Sequence, residues 1–267
     1  MLLPRERLRR YKGRVLSFLK TSLALCLAVL PAVRCCVAAE IAIGFGDHLA
    51  PYVLPATQNG IEVEIFREAL AYRGHVLRPV FLPTKRLPQA FAAHEIDGAM
   101  SDSGQDLSGV GGVYGEPAVG FDNVLFTRKD RHISITRRED LAGLTVLAFP
   151  GAIDRFADWL EPVDKAGRYF QTNNQALQVR ALQQGQYDVV LSDRYIFGYF
   201  ASVLKSHNVT IDEVEMHRCL TPNPIYYPSV FRNKEIRDDF NEGLLHLKKT
   251  GRYQEIYDRY VSRHPPS

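Results

Sequence analysis

Two stretches of this 267-residue chain read alike: Glu95-Ile-Asp-Gly-Ala-Met-Ser101-Asp102 and Gln186-Tyr-Asp-Val-Val-Leu-Ser192-Asp193. Each runs from a polar residue through an Asp and a short apolar segment to a closing Ser-Asp pair. Each also follows a helical pattern, with Leu87, Ala90 and Phe91 on one face before the first copy and Leu177 and Ala181 before the second. A helix that feeds a buried strand, used twice, argues for an α/β architecture of two similar halves. Both halves would project a hydroxyl and a carboxylate from the carboxyl end of a strand, the edge where open α/β sheets bind ligands. Two such halves facing one another make a cleft. The inner acids, Asp97 and Asp188, read as caps at the starts of the strands.

Working outward, Ile41-Ala42-Ile43 reads as the first strand, and Ile61, Ile65, Phe66, Ala69 and Leu70 share a helical face that ends before Gly74. A second unit starts at the apolar run 144–149, turns through Pro150-Gly151 and enters a helix carrying Phe156, Trp159 and Leu160. The last helix has Ile236, Phe240, Leu244 and Leu247 in one apolar stripe. Strands alternating with helices in this way predict mainly parallel sheets.

The first 39 residues read as a secretory signal. A basic stretch with Arg5, Arg7, Arg9, Arg10, Lys12, Arg14 and Lys20 precedes an apolar run from Thr21 to Val33, and Val37-Ala38-Ala39 supplies small residues for a cut after Ala39. The run is short and broken at Pro31 and Arg34, whereas a membrane span takes about 20 apolar residues; an uncleaved anchor is the alternative. This segment holds eight Lys/Arg and one Glu of a chain whose formal net charge is +3, so the remaining 228 residues carry a net of −4. A mildly acidic body without a basic stripe gives no footprint for nucleic acid. Three of the four cysteines also fall in the segment, which leaves Cys219 alone and no internal disulfide. Cys219 reads as a small buried hydrophobe.

Several separated segments are similar to those of family 3 extracellular solute-binding proteins, the substrate-binding type of amino-acid ABC transporters. They are Gly44-Phe-Gly-Asp-His-Leu-Ala-Pro51-Tyr52, Gly60-Ile-Glu-Val-Glu-Ile65, the stretch from Glu95 to Ser101, the crossover from Tyr114 to Lys129, Asp140-Leu-Ala-Gly143-Leu-Thr-Val146, and the run from Tyr226 to Tyr260. Their order and spacing carry the resemblance, which covers residues 40–267. It implies a two-lobed type II periplasmic binding protein fold with a two-crossover hinge. Lobe 1 would comprise residues 40–127 and 221–267, with lobe 2 at 128–220. Closure of two lobes on a ligand is a standard switching motion. The implied partners are a small-molecule ligand and either the membrane permease of an ABC transporter or a sensor, with the protein itself a monomer in the periplasm.

The resemblance also places the site. Asp193 matches the second-lobe acid that binds a ligand amino group, and it is equally suited to capping the helix that starts at Arg194. Ser101 and Asp102 close the first-lobe strand. Glycine stands where family members carry an arginine for the ligand carboxylate, which removes a bidentate fork and argues against an ordinary α-amino acid, in favour of amines or cationic amino-acid derivatives. Arg86 is the candidate to replace that fork, or else a solvated side chain. Asp47 and Tyr52 lie in the first loop, where an aromatic ring offers a face to a cation or packs the loop. Gly151 precedes a helix whose N–H groups could receive an anion. No nucleophile motif, zinc motif or phosphate loop is present in the sequence, so a non-enzymatic binder without cofactor or metal is expected. The rivals are a dehydratase-like enzyme on the same scaffold, a sensory module for a membrane receptor, and a metal site from Asp47, His48, Asp102 and Asp193, of which only Asp47-His48 are closely spaced.

Overall fold

The short apolar run after Ala39 forms a first strand, β1 (Glu40–Gly46), buried from Ile41 onward, in the computed structural model, which describes residues 40–47, 49–221 and 224–261. The signal-like segment 1–39 and His48 lie outside the described residues. Strand β1 pairs in parallel with β2 (Val76–Leu82) and β3 (Gly98–Ala99). The links are helices α1 (Ile61–Ala71) and α2 (Leu87–Ala92). Two short strands, β12 (Val230–Phe231) and β4 (Val113–Tyr114), finish the sheet in the order β2-β1-β3-β12-β4, and β12 runs antiparallel to both of its neighbours.

The second sheet has the order β10-β6-β9-β7-β8. Its strands are β6 (Asn123–Arg128), β7 (Val146–Ala148), β8 (Tyr169–Gln171), β9 (Val189–Asp193) and β10 (Val214–His217). Here β7 is parallel to β8 and β9, while β6 is antiparallel to β9 and β10. The expectation of mainly parallel sheets is therefore corrected: both sheets are mixed. Helical crossovers make the parallel pairs, and the strands laid down where the chain leaves or returns to a lobe enter antiparallel. Strand β6 also pairs within the second sheet, so the chain leaves the first sheet before Asn123, earlier than residue 127.

Helices cover both faces of the second sheet, which explains the continuous apolar run of β9. Leu125, Val146, Val189 and Leu191 pack on one face, with Leu160 and Phe156 from α3 (Ala152–Arg155) and α4 (Ala157–Lys165) and their junction. Val124, Phe126, Leu147 and Val190 pack on the other, with α5 (Gln175–Gln183) and α6 (Arg194–Ser206). Phe126 and Phe197 stack with ring centroids 3.9 Å apart. Cys219 packs partly buried against the first of these clusters, as a small hydrophobe.

The repeated sequence is a repeated structure at its inner acids. Asp97 Oδ2 accepts the Ala42 N–H of β1 at 2.8 Å, and Asp188 Oδ2 accepts the Thr145 N–H before β7 at 2.9 Å. Each acid thus ties the start of its strand to the neighbouring one. The lobes are joined by a two-stranded ladder of β5 (Gly120–Phe121) with β11 (Ile225–Tyr226). Helix α6 bridges them too, since Ile196 packs in the first-lobe core and Phe197 in the second.

The first-lobe core is sealed by α7 (Lys234–Thr250) and α8 (Arg252–Val261). Phe66 stacks on Phe240 at 4.5 Å between α1 and α7. Such buried rings and aliphatic side chains stabilise by about 1.5–3 kcal/mol each. Close approach of the two helices requires Gly243, where a Cβ would lie 2.0 Å from the Ala69 carbonyl oxygen. Gly243→Ala is expected to destabilise by about 1–3 kcal/mol through overpacking, lowering the thermal midpoint by roughly 2–4 °C per kcal/mol; an unchanged midpoint would show that these helices separate freely.

Candidate ligand-binding site

The first-lobe loop after β1 carries Asp47, whose N–H donates to the Leu82 carbonyl at 3.0 Å, and Tyr52, which is 0 % exposed. Tyr52 reaches out of its own lobe. Its hydroxyl lies 3.2 Å from both oxygens of Asp193 and 3.4 Å from the Gly120 carbonyl of β5. Its ring packs at 4.8 Å against Phe121, edge-on to Tyr195 at 6.3 Å and edge-on to Tyr257 at 6.4 Å.

Asp193 takes the capping role that its sequence position allowed. As the N-cap of α6 its Oδ1 accepts the N–H groups of Tyr195 and Ile196, at 2.9 and 3.1 Å. Its Oδ2 accepts the Asp122 N–H at 2.7 Å, and the Tyr52 hydroxyl completes the set. The residue is 3 % exposed. Burial pushes its acid up to about 7 against the opposing pull of these hydrogen bonds. Both protonation states are accommodated: an ionised Asp193 accepts from Tyr52, and a protonated one can donate to Tyr52 while the phenol turns to Gly120.

Ser101 and Asp102 form the hydrogen-bonded start of a loop. Ser101 Oγ accepts the Ser103 N–H at 2.9 Å, and Asp102 accepts the Gly104 N–H at 2.9 Å and the Tyr114 hydroxyl at 3.2 Å. The internal repeat stops here, because Asp193 opens a 13-residue helix whereas Asp102 opens a turn. Arg86 lies on the surface, its side chain 58 % exposed and its Nη2 donating to Glu95 at 3.4 Å, which is not the posture of a buried clamp. Gly151, at φ 79°, caps a helix of only four residues, and Asp154 already lies in that first turn. A one-turn helix facing its own carboxylate is a poor seat for an anion.

Sequence reading did not single out Arg155, an exposed cation of the second half. Arg155, at the end of α3, lies 5.7 Å from the Phe149 ring centroid and 5.2 Å from that of Tyr227. Tyr227 continues to Phe121 at 5.7 Å, and Phe121 to Tyr52. One aromatic chain therefore runs along the hinge from an exposed guanidinium to a buried carboxylate. Among the described residues Arg155 has no carboxylate partner. The signal available in sequence was its place one turn beyond Gly151, in the loop-to-helix segment of the second half. Asp122 was also missed: it holds Arg194 at 2.8 Å and Arg218 at 2.6 Å.

Behind Tyr52 lies Glu62, 3 % exposed, in the first turn of α1. Its Oε2 is buried without a hydrogen-bond partner. It faces Tyr253 and Tyr257 of α8, and burial pushes the Tyr253 phenol up to about 12. Among the described residues no group of three or more His, Cys, Asp or Glu side chains is placed to hold a metal, and no helix is long and apolar enough to cross a membrane.

No protein-family model and no curated protein matches the chain. Solved structures do. A probable amino-acid ABC transporter extracellular-binding protein from Bacillus subtilis is 16 % identical with a TM-score of 0.63, over 84 % of this chain and 99 % of that one. The second substrate-binding domain of GlnP from Lactococcus lactis, in an open conformation, is 22 % identical with a TM-score of 0.59, over 84 % and 96 %. A histidine kinase sensor domain with similarity to periplasmic binding proteins is 21 % identical with a TM-score of 0.57, over the same shares. These likenesses show the fold: two α/β lobes of the periplasmic binding protein kind.

Glu62 generates a pH prediction. Burial raises it from 4.5 to about 8, so the folded protein binds more protons than the unfolded chain between those values, and stability falls as pH rises through that window. The thermal midpoint should drop between pH 5 and pH 8, with Asp193, raised to about 7, adding to the fall below that value; Glu62→Gln should make the slope shallower, most of all between pH 7 and pH 8, and overtake the wild type at pH 8. An identical slope in the variant would place the titration elsewhere.

Proposed function

We propose that this chain is an exported solute-binding protein that closes its two lobes on a small polar amine- or amino-acid-like ligand and presents the closed form to the permease of an ABC-type transporter. The observation that carries the proposal is the Tyr52–Asp193 contact, which joins a first-lobe loop to a second-lobe helix start across the hinge ladder. Lobe closure has to form such a contact, and the Tyr52 hydroxyl sits where a ligand ammonium would otherwise meet the carboxylate. Arg155 supplies the complementary end: a carboxylate on the guanidinium, with the ligand body along Tyr227 and Phe121 and the amine toward Asp193, describes an amino-acid-like zwitterion. This replaces the missing first-lobe arginine with a second-lobe one. Ser101, Asp102, Asp47, Arg86 and Gly151 take supporting places in loops around the cleft.

The reading includes export, with cleavage after Ala39, action as a monomer and no catalysis. The solved structures described above are binding and sensor domains, which supports the absence of chemistry. Sensing is the second reading, favoured by the likeness to the kinase sensor domain; the same capture step would then report to a membrane receptor.

The test is a thermal-shift screen of the mature chain, unfolded and refolded to strip ligand, against amino acids, amines, polyamines, carboxylates and sugars. A ligand at a hundredfold over its Kd adds about 2.7 kcal/mol, a rise of several degrees at roughly 2–4 °C per kcal/mol. Amino acids or amines should respond, with binding lost in both Arg155→Ala and Asp193→Asn while circular dichroism stays unchanged. A response confined to sugars, or full affinity in both variants, would overturn the assignment. Material recovered from the periplasm should begin at Glu40 by intact mass, and a retained leader would overturn the export step.

A further inference from the structure

The hinge has two faces, and successive residues of its strands point to opposite ones. Phe121 and Tyr227 face the cleft, in contact with Tyr52 and Arg155. Gly120, Asp122 and Tyr226 line a separate recess of about 140 Å³ on the rear, with Arg194 and Tyr195 from α6 and Tyr253 and Tyr257 from α8. Both lobes and the hinge therefore contribute to one concavity. Three of its walls, Gly120, Tyr195 and Tyr257, also touch Tyr52 of the capture seam.

Its chemistry is specific. Two guanidinium groups, Arg194 and Arg218, converge on the single carboxylate of Asp122, and the buried Asp193 carboxyl accepts the Asp122 N–H behind them. Arg194 Nε approaches Asp122 at 2.8 Å but is buried and makes no hydrogen bond, while Nη2 donates to the Tyr195 hydroxyl and the guanidinium lies 4.1 Å from that ring's centroid. A further cation, Lys248, stands 5.5 Å over the Tyr253 ring. Gln254 turns its amide onto Asp258 at 2.8 Å, which engages that carboxylate. The walls are ring faces: Tyr226 is 54 % exposed, and a Cβ on Gly120 would meet its ring at 2.6 Å. Only glycine lets that ring lie flat on the hinge strand. A space of this size suits one six-membered ring, given that an engineered cavity of about 150 Å³ in another protein holds benzene.

We propose that the rear recess of the hinge is a second ligand site, which takes a small monocarboxylate with a flat or short apolar body. The carboxylate accepts from Arg194, and the body lies against Tyr226 and Tyr257. Because the lining comes from both lobes, an occupant favours one lobe angle, and by linkage cleft and recess change each other's affinity reciprocally.

The experiment titrates the mature protein with benzoate and with benzylammonium, reading heat and thermal midpoint. Benzoate should bind and raise the midpoint, and benzylammonium should do neither. Arg194→Gln should weaken benzoate by at least about tenfold, the loss of a charge-assisted donor. Tyr226→Ala, at an exposed position, should weaken it as well, and it decides the matter if the arginine variant does not fold. Arg155→Ala, which removes the cleft cation, should keep the benzoate response, so failure here is distinguishable from failure of the cleft assignment. Absence of benzoate binding, undiminished binding in Arg194→Gln and Tyr226→Ala, loss in Arg155→Ala alone, or preference for benzylammonium would each overturn the site.

Discussion

The carboxylate of Asp193 gathers three pieces of chain. It caps α6, holds the backbone of Asp122 where the first crossing enters the second sheet, and meets the Tyr52 phenol beside the Gly120 carbonyl. A buried acid is costly unless its oxygens are satisfied, and this one is satisfied only when the helix start, the hinge strand and the first-lobe loop are all in place. Its demand for donors therefore fixes the relative position of the lobes as seen here. The cluster of Phe121, Tyr195 and Tyr257 around Tyr52 excludes water from the contact and strengthens it.

Two design problems follow from such an arrangement. Under the proposed function, closure has to be favourable enough to hold a ligand, yet each polar group in the seam needs a partner when the ligand is absent. Tyr52 meets the second need by lending its own hydroxyl to Asp193. On that proposal a ligand displaces this internal hydrogen bond, and only one that offers a better donor gains from doing so, a source of selectivity. Glu62 shows the opposite choice, a carboxyl left without a partner on Oε2 and kept neutral by its surroundings.

The sequence repeat conveyed the architecture because helix-to-strand units have fixed periods, and its inner acids, Asp97 and Asp188, do the same work in both sheets. Mixed strand direction was hidden, since β12 and β4 are two residues long and leave no periodic trace. At the site, Asp193 and Tyr52 were legible as residues but not as a pair, because their contact spans 141 positions and depends on how the lobes meet. Arg86 looked like a clamp from local context, but it sits beside Glu95 on the surface, and a pairing of that kind is set by the turn between them. Arg155 carried no motif; only the folded hinge brings Tyr227 beneath it.

Helix α6 spends neighbouring side chains on different cores, Ile196 on the first lobe and Phe197 on the second. Melting either lobe would strip a buried residue from the other, so the two should lose structure together in one cooperative event. A fragment cut between the lobes would inherit an exposed apolar stripe on this helix. The same coupling bears on evolution: a substitution on one side of α6 is felt in both halves, so the halves, however alike their strand starts, have to be retained as a matched set.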